Sequence, residues 1–170
     1  MILAGGTSTL GPLLQVTRNV PIVFAGVADP VGAGFVDSLA QPGGNATGFM
    51  QFEYNLSAKW LELLKQIAPN TTRAAVLRDP VVTSGIAQFA VIQSVATTLG
   101  VDVRPINVRS PKDFDRALNA FAHSPNGGMI VAASGLATIN RNLIISLAAR
   151  YKLPTIYPRR VFVTDSGLIS

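Results

Sequence analysis

The sequence contains no cysteine and a single histidine, His123. Without cysteine the chain can form neither disulfides nor thiolate metal sites, and one histidine leaves no recognisable zinc site. Charged residues are also scarce: they make up 14% of the chain, whereas apolar residues make up 48%. No apolar run reaches the roughly 18 residues that a membrane-spanning helix needs. These features predict a compact globular chain with no membrane span.

Motifs for cofactors and for nucleophilic catalysis are also missing. The Gly-Ala-Gly run at 32–34 lacks the third glycine of a dinucleotide fingerprint, and no G-x-x-x-x-G-K-[ST] phosphate loop occurs. We therefore expect no cofactor. Ser134 lies in a Val-Ala-Ala-Ser-Gly segment in which Ala132 replaces the first glycine of a nucleophile elbow. A small α/β enzyme, either a hydrolase or nucleotide-using, with Ser134 or Asp29 at a strand-end active site remains an alternative. No general base and no phosphate loop support it.

Positive charge exceeds negative charge, and it is unevenly distributed along the chain. The net charge is +5, and 13 of the 14 lysine and arginine residues follow position 50. Apart from a group at 150–160, they are spread over predicted helix surfaces, which is typical of a solvated basic face. A nucleic-acid-binding protein would gather them on one face, so no nucleic acid partner is expected. Residues 1–20 lack the pattern of a secretion signal.

The stretch 26–48 organises the rest of the chain. It follows a short apolar strand at 21–25 and opens with Asp29 and Pro30. Asp29 can cap a helix, and Pro30 suits a first helical position because its missing amide would be unpaired there. The sequence therefore predicts a helix that begins near Pro30 and ends before the Gln-Pro-Gly-Gly run at 41–44. Its N-terminus would face a small anionic or zwitterionic ligand.

Strands and helices alternate on both sides of an extended, aromatic-rich segment at 49–54. Such alternation predicts parallel strands with right-handed crossovers and an α/β fold. We interpret residues 1–48 as a partial first lobe, 49–54 as an inter-lobe hinge segment and 55–170 as a second lobe. In the second lobe, helices are predicted at 56–67, 85–99, 111–122 and 137–152, and strands at 74–77, 101–108, 129–132 and 155–157.

A polar residue follows each of several predicted strands. In an open parallel sheet the carboxyl ends of the strands share one edge, which is where ligands usually bind. Helix capping alone could explain each residue taken singly, but the set as a whole favours a binding site. The candidate ligand-binding residues are Thr7, Ser8, Asp29, Asp79, Ser134 and Tyr157.

Several motifs resemble those of bacterial ABC-transporter substrate-binding proteins, in particular a group related to amino-acid transport. These proteins have the type I periplasmic binding protein fold. The resemblance extends over the whole chain. It rests on Asp-Pro-Val-Gly-Ala-Gly at 29–34, Gln-Pro-Gly-Gly-Asn-Ala-Thr-Gly at 41–48, Leu-Ser-Ala-Lys-Trp-Leu-Glu-Leu-Leu-Lys at 56–65, Leu-Pro-Thr-Ile-Tyr at 153–157 and Gly-Leu-Ile-Ser at 167–170.

The resemblance implies two α/β lobes that close on a small solute, such as an amino acid. It also implies that the protein lies outside the cytoplasm and delivers the solute to an ABC permease in the membrane. It places Thr7, Ser8 and Asp29 on the first lobe, and the other candidates on the second. Two departures affect the site: Arg-Asp-Pro at 78–80 replaces a usual Asn-Pro, and Ser134 stands where an acidic residue is common. Both would alter contacts with a ligand ammonium group.

The family pattern also implies that this chain is an internal fragment, because family members have further first-lobe strands before it and more chain after it. A first lobe of two strands and two helices would leave a strand edge and apolar helix faces uncovered. We therefore expect the chain either to form a homodimer through the truncated first lobe or to leave that lobe partly disordered.

Overall fold

The structure is a computed structural model that describes residues 1–51 and 53–170. Its strands are β1 (Ile2–Gly5), β2 (Ile22–Val27), β3 (Ala46–Met50), β4 (Arg73–Arg78), β5 (Asp102–Asn107), β6 (Gly127–Val131) and β7 (Thr155–Ile156). Its helices are α1 (Thr7–Val16), α2 (Ser57–Ile67), α3 (Thr83–Ala96), α4 (Pro111–Ala122), α5 (Gly135–Ile139), α6 (Arg141–Arg150) and α7 (Arg160–Thr164). Among the described residues, no helix has both the length and the apolar character needed to cross a membrane.

The strands form two separate sheets, and every pairing is parallel. The first sheet has the order β1-β2-β3, and the second has the order β5-β4-β6-β7. Parallel neighbours need helical crossovers, and each sheet is accordingly packed against helices. The predicted α/β class is confirmed.

Helices cover the second sheet on both faces. Alternate residues of a strand point to opposite faces, so β4 directs Ala75 and Leu77 to one side and Ala74 and Val76 to the other. The first pair packs with apolar residues of α4 and α6, and the second with those of α2 and α3. β6, which has no polar residue, lies between β4 and β7, as expected of a strand buried on both faces.

The first sheet is covered on one face only. Ala4, Ile22 and Phe24 point to the covered face, where they pack with Leu10 of α1 in a buried cluster. On the opposite face, Leu3 and Phe49 are 76% and 78% exposed. The first sheet therefore buries one apolar cluster, whereas the second sheet buries two.

The prediction of a helix that begins near Pro30 is wrong. Residues 30–34 form turns, and the chain then runs without regular structure to β3. Only the first turn is helix-like, because the amide of Ala33 donates to the carbonyl of Asp29. Gly34 then adopts φ = 70°, a left-handed conformation that ends the turn. Glycine disfavours helix, and the two glycines at 32 and 34 outweigh the capping signal of Asp29.

Two further differences from the prediction lie close to the strand ends. The helix predicted at 137–152 is divided at Asn140 into α5 and α6, and this break leaves Ile139 81% exposed. Phe49 and Met50, which the sequence analysis assigned to the segment between lobes, pair with β2 as the end of β3. The chain between the two sheets therefore follows Met50, and it includes a short 3-10 turn at Tyr54–Leu56.

Candidate functional site

A cavity of about 670 Å³ is lined by loops from both sheets at the carboxyl ends of their strands. Thr7 follows β1, Gln51 follows β3, Ser134 follows β6, and Arg159 follows β7. The cavity lies within the size range of small-molecule sites, and strand carboxyl ends are where parallel sheets place ligands. This arrangement makes the cavity the candidate binding site.

The turn between β1 and α1 forms the wall from the first sheet. Gly6 adopts φ = 80°, which glycine tolerates, and its amide donates to the carbonyl of Ala25 at 2.9 Å. The hydroxyl of Thr7 accepts a hydrogen bond from the amide of Ala28 at 3.1 Å, which joins this turn to the end of β2. The first turn of α1 contains no acidic residue. The helix start therefore presents its positive end to the cavity.

The wall from the second sheet is the segment between β6 and α5. Two side chains of α3 bind the backbone of Ala133 in this segment. The side-chain oxygen of Gln88 accepts from the Ala133 amide at 2.9 Å, and the Ser84 hydroxyl donates to the Ala133 carbonyl at 3.3 Å. The hydroxyl of Ser134 accepts from the amide of Ala137 at 3.0 Å and so caps α5. Buried hydrogen bonds to α3 thus fix the position of this wall.

Arg159 and Gln51 meet across the cavity. Nη2 of Arg159 donates to Oε1 of Gln51 at 2.9 Å, and this contact joins residues 108 positions apart in the sequence. Burial lowers the pKa of the Arg159 guanidinium from its usual value. The contact links the segment that leaves β3 with the segment that follows β7.

Apolar side chains complete the lining. Met50, Val82 and Ile139 border the cavity, and Ile139 is 81% exposed there. A large aliphatic side chain with this exposure offers a surface that a ligand can cover. The cavity therefore combines a polar wall with apolar contacts, as sites for small organic molecules usually do.

The structure brings three of the six predicted site residues together. Thr7, Ser8 and Ser134 line the cavity, the first two from the first sheet and the third from the second. The other three, Asp29, Asp79 and Tyr157, are absent from its lining.

These three side chains have structural contacts instead. The Asp29 carboxylate accepts from the amides of Gly32 and Tyr54, at 2.7 and 3.1 Å. Asp79 accepts from the amide two residues further on, which is a common turn contact. Tyr157 is 2% exposed and stacks on Phe162, with ring centroids 5.1 Å apart.

Sequence reasoning missed Gln51, Thr138 and Arg159 in the lining. Thr138 was hidden inside a helix that was predicted as continuous. Arg159 was grouped with exposed basic residues, since nothing local distinguishes it from Arg160. Arg159 comes three residues after the end of the short strand β7, near the strand ends at which the other candidates lie, and that signal could have found it.

A second cavity of about 700 Å³ lies between α1 and the 33–45 loop. It shares Thr7, Ser8 and Val82 with the first, but from the part of the chain that carries the second sheet it receives only residues 81–83, which follow β4. The loops after β6 and β7 are absent from its described lining. The cavity that those loops also line is the better candidate.

The described lining of the cavity offers no general base for hydrolysis by Ser134. Among its described lining residues, Arg159 is the only ionisable side chain, so no histidine or carboxylate can act as a general base toward Ser134. Asp29, the other catalytic candidate, has its carboxylate occupied by two backbone amides outside the cavity.

The profile of a family described as ABC transporter substrate binding proteins matches residues 1–170. A curated relative, a tyrosine-binding protein of Clostridioides difficile (strain R20291), is 24% identical over 168 residues. This match covers 99% of the present chain and 48% of the relative. The chain thus spans about half the length of the curated relative. The family and this relative are described as binding proteins rather than enzymes.

Two solved structures show the same fold. One is the ABC domain from Streptococcus pneumonia in complex with L-Trp, which has a TM-score of 0.84 at 21% identity over 96% of this chain and 56% of the other. The second is a conserved domain protein from Vibrio cholerae, with a TM-score of 0.86 at 25% identity, covering 98% of this chain and 55% of the other.

Proposed function

Because the chain belongs to the ABC transporter substrate binding protein family, we propose that it supplies the solute-binding part of an ABC transport system and holds a small carboxylate-bearing molecule, such as an amino acid. The observation that carries this proposal is the cavity of about 670 Å³ lined by strand-end loops of both sheets. The names of two relatives support the solute class, since one binds tyrosine and another was solved with L-Trp.

Thr7, Ser8 and Ser134 are the proposed contacts to the polar end of the solute. Each hydroxyl lies at a strand end in the cavity lining. The hydroxyls of Thr7 and Ser134 accept backbone hydrogen bonds, which fixes their positions and leaves each O–H able to donate. Asp29, Asp79 and Tyr157 then act by shaping the loops beside the cavity.

The two lobes of this proposal correspond to the two sheets, and the hinge is the segment between them. The sheets share no strand, and the described chain crosses between them once, after Met50. Closure about this segment would bring Thr7 and Ser134 onto opposite sides of the solute and exclude water. The contact between Gln51 and Arg159 lies at the point where such a movement begins.

Family membership supports an ABC permease as the membrane partner and a location outside the cytoplasm. It also supports binding without turnover, in keeping with a cavity whose described lining offers Ser134 no base.

A second copy of the chain is the proposed partner of the first sheet. Parallel sheets are normally covered on both faces, but here Leu3, Ala25 and Phe49 share an exposed face. A twofold axis would pair this face with itself in a homodimer.

The test is a thermal-shift and calorimetric screen of the purified chain against amino acids and related carboxylates, with small-angle X-ray scattering on any complex. We expect at least one ligand to raise the unfolding temperature and to reduce the radius of gyration. A screen without any binder would contradict the proposed function. Release of product from ester or nucleotide substrates would instead favour the enzyme alternative.

A further inference from the structure

Arg159 is a half-buried cation with no anionic partner among the described residues. Its Nε atom is buried and has no acceptor among residues 1–51 and 53–170, and the guanidinium forms no ion pair with any carboxylate there. The one hydrogen bond that the guanidinium forms within those residues goes to the neutral amide oxygen of Gln51. A partly buried guanidinium gains from an anionic partner, because removing the charge from water is costly. Within the cavity, this leaves an unmatched positive charge.

The other described residues that line the cavity carry no negative charge to balance Arg159. The described residues around the cavity include five hydroxyl side chains, Thr7, Ser8, Ser84, Ser134 and Thr138, but no aspartate or glutamate. The start of α1 adds its partial positive charge on the same wall, with no acidic side chain in its first turn to offset it. A carboxylate placed here gains a charge partner and several donors. An ammonium finds neutral acceptor oxygens but no charge partner in the described lining, and it is repelled by Arg159.

Asp29, an acidic residue next in sequence to the lining residue Ala28, does not add negative charge to the cavity lining. Asp29 follows β2, yet both of its carboxylate oxygens accept backbone amides, from Gly32 and Tyr54, and it does not line the cavity. Because the carboxylate lies outside the lining, reaching a ligand ammonium would require the turn that these bonds hold to move. The α-ammonium of an amino acid therefore finds only neutral oxygens in the described cavity.

Building on the proposed solute-binding function, we propose that the cavity selects apolar monocarboxylates through Arg159 and does not require an α-ammonium group. The ligand class is a carboxylate with an aliphatic or aryl tail, the tail lying against Met50, Val82 and Ile139. Guanidinium pairs well with carboxylate because its donors match the two oxygens. Deaminated analogues bind at least as tightly as the corresponding amino acids.

The experiment uses two matched trios of ligands with the 170-residue chain. The aryl trio is 3-phenylpropionate, L-phenylalanine and 2-phenylethylamine; the aliphatic trio is 4-methylpentanoate, L-leucine and 3-methylbutylamine. Calorimetry should show that at least one of the two carboxylates binds as tightly as its amino acid or more tightly, and that the amines do not bind. The affinity of the carboxylate should fall as ionic strength rises.

Variants then assign the effect to Arg159. Arg159→Gln should weaken carboxylate binding at least tenfold, and Arg159→Lys should recover part of the loss. Arg160→Gln is the matched control, because it removes the same charge from the adjacent, exposed position outside the cavity lining. It should leave binding within twofold of the parent. Ligand-free unfolding temperatures of all three variants identify any that fail to fold, and Arg159→Lys tests the charge if Arg159→Gln does not fold.

The possible failures are distinguishable. Amino acids that bind tenfold or more tightly than their deaminated analogues would overturn the selectivity while leaving the solute-binding function standing. Carboxylate binding unchanged in Arg159→Gln would overturn the role of Arg159. No binding by any of the six compounds, to chain shown to be folded, would overturn this inference, and the broad screen above would then decide the proposed function separately.

Discussion

At the scale of single residues, Asp29 joins three parts of the chain. It lies just after β2 in a left-handed conformation with φ = 39°. One carboxylate oxygen accepts from Gly32 in the following turn, and the other accepts from Tyr54 in the segment between the sheets. A methyl group on Gly32 would lie 2.7 Å from that carboxylate, so a larger residue here would displace the carboxylate to which the Gly32 amide donates. Asp29 therefore fixes the segment about which closure is proposed.

Replacing Asp29 with alanine should destabilise the chain. The variant loses two hydrogen bonds to a charged acceptor, and we expect the free energy of unfolding to fall by about 1–2 kcal/mol. Denaturant unfolding measures this. Asp37→Ala is the control, because Asp37 is exposed and its carboxylate accepts no hydrogen bond from the described residues. If both variants matched the parent in stability, the structural role of Asp29 would be wrong.

Two buried tyrosines predict a loss of stability in alkali. Burial raises the pKa of Tyr54 to about 12, helped by the nearby charge of Asp29, and burial raises that of Tyr157 to about 12 as well. In the unfolded chain both ionise near pH 10, the ordinary tyrosine value. The folded state thus holds its protons longer, and this stabilisation is complete below pH 10 and is lost between pH 10 and pH 12.

We expect the midpoint of thermal unfolding to fall over that pH range, and to fall less in Tyr54→Phe. The Tyr54 hydroxyl is buried without a partner in the described structure, so its removal should leave stability at pH 7 unchanged or slightly higher. An identical alkaline profile for the variant and the parent would show that Tyr54 does not contribute.

At the scale of elements, α3 holds the cavity wall on the second sheet. Gln88 is fully buried, and its side-chain oxygen is the acceptor for the Ala133 amide. Ser84, one turn earlier, binds the carbonyl of the same residue. Hydrogen bonds to both the amide and the carbonyl of Ala133 fix the backbone directly before Ser134. The helix thus connects stability of the second sheet to geometry of the site.

Gln88→Ala should affect both stability and binding. It leaves the Ala133 amide unpaired in a buried position, at a cost of about 1–3 kcal/mol, and should weaken solute binding because the wall is freed. Gln93→Ala, at an exposed position of the same helix, should change stability by less than about 0.5 kcal/mol and leave affinity unchanged. Normal affinity in a destabilised Gln88→Ala would contradict the positioning role.

The sequence predicted elements best where signals were local and agreed. For α4, proline at the first position, the apolar spacing and a Ser110–Asp113 capping box coincide, and the predicted bounds match the observed ones. At Asp29 and Pro30 the capping signal conflicted with Gly32 and Gly34, and the prediction failed. Thr7, Ser8 and Ser134 were accessible to prediction because each follows a strand. The contact between Gln51 and Arg159 was not, since it depends on how distant segments pack.

At the scale of the whole molecule, the two sheets contribute unequally to stability and association. The second sheet is covered on both faces, whereas the first exposes Leu3 and Phe49. Exposed apolar patches of this kind favour association. The proposed solute site lies at strand ends and includes Ala25 of this face, but neither Leu3 nor Phe49. Association through Leu3 and Phe49 and binding of solute therefore use different side chains.

We expect the purified chain to form a dimer that the double variant Leu3→Glu, Phe49→Glu dissociates. Two carboxylates on each copy would meet across a twofold axis and repel. Sedimentation over a range of concentrations measures the assembly. Val81→Glu is the control, because Val81 is 74% exposed but lies outside the first sheet. A parent chain that stays monomeric at high concentration would rule out this dimer.

The single crossing between the sheets has a consequence for synthesis of the chain. Each sheet is built from strands that are contiguous in sequence, so residues 2–50 are complete before any strand of the second sheet is made. At common translation rates of about 5–20 residues per second, synthesis from Met50 to the end of β7 at Ile156 takes roughly 5–21 seconds. During that interval the face with Leu3 and Phe49 is available to neighbouring nascent chains on the same messenger RNA. Pairing of copies would then begin on the polysome, before the solute cavity exists.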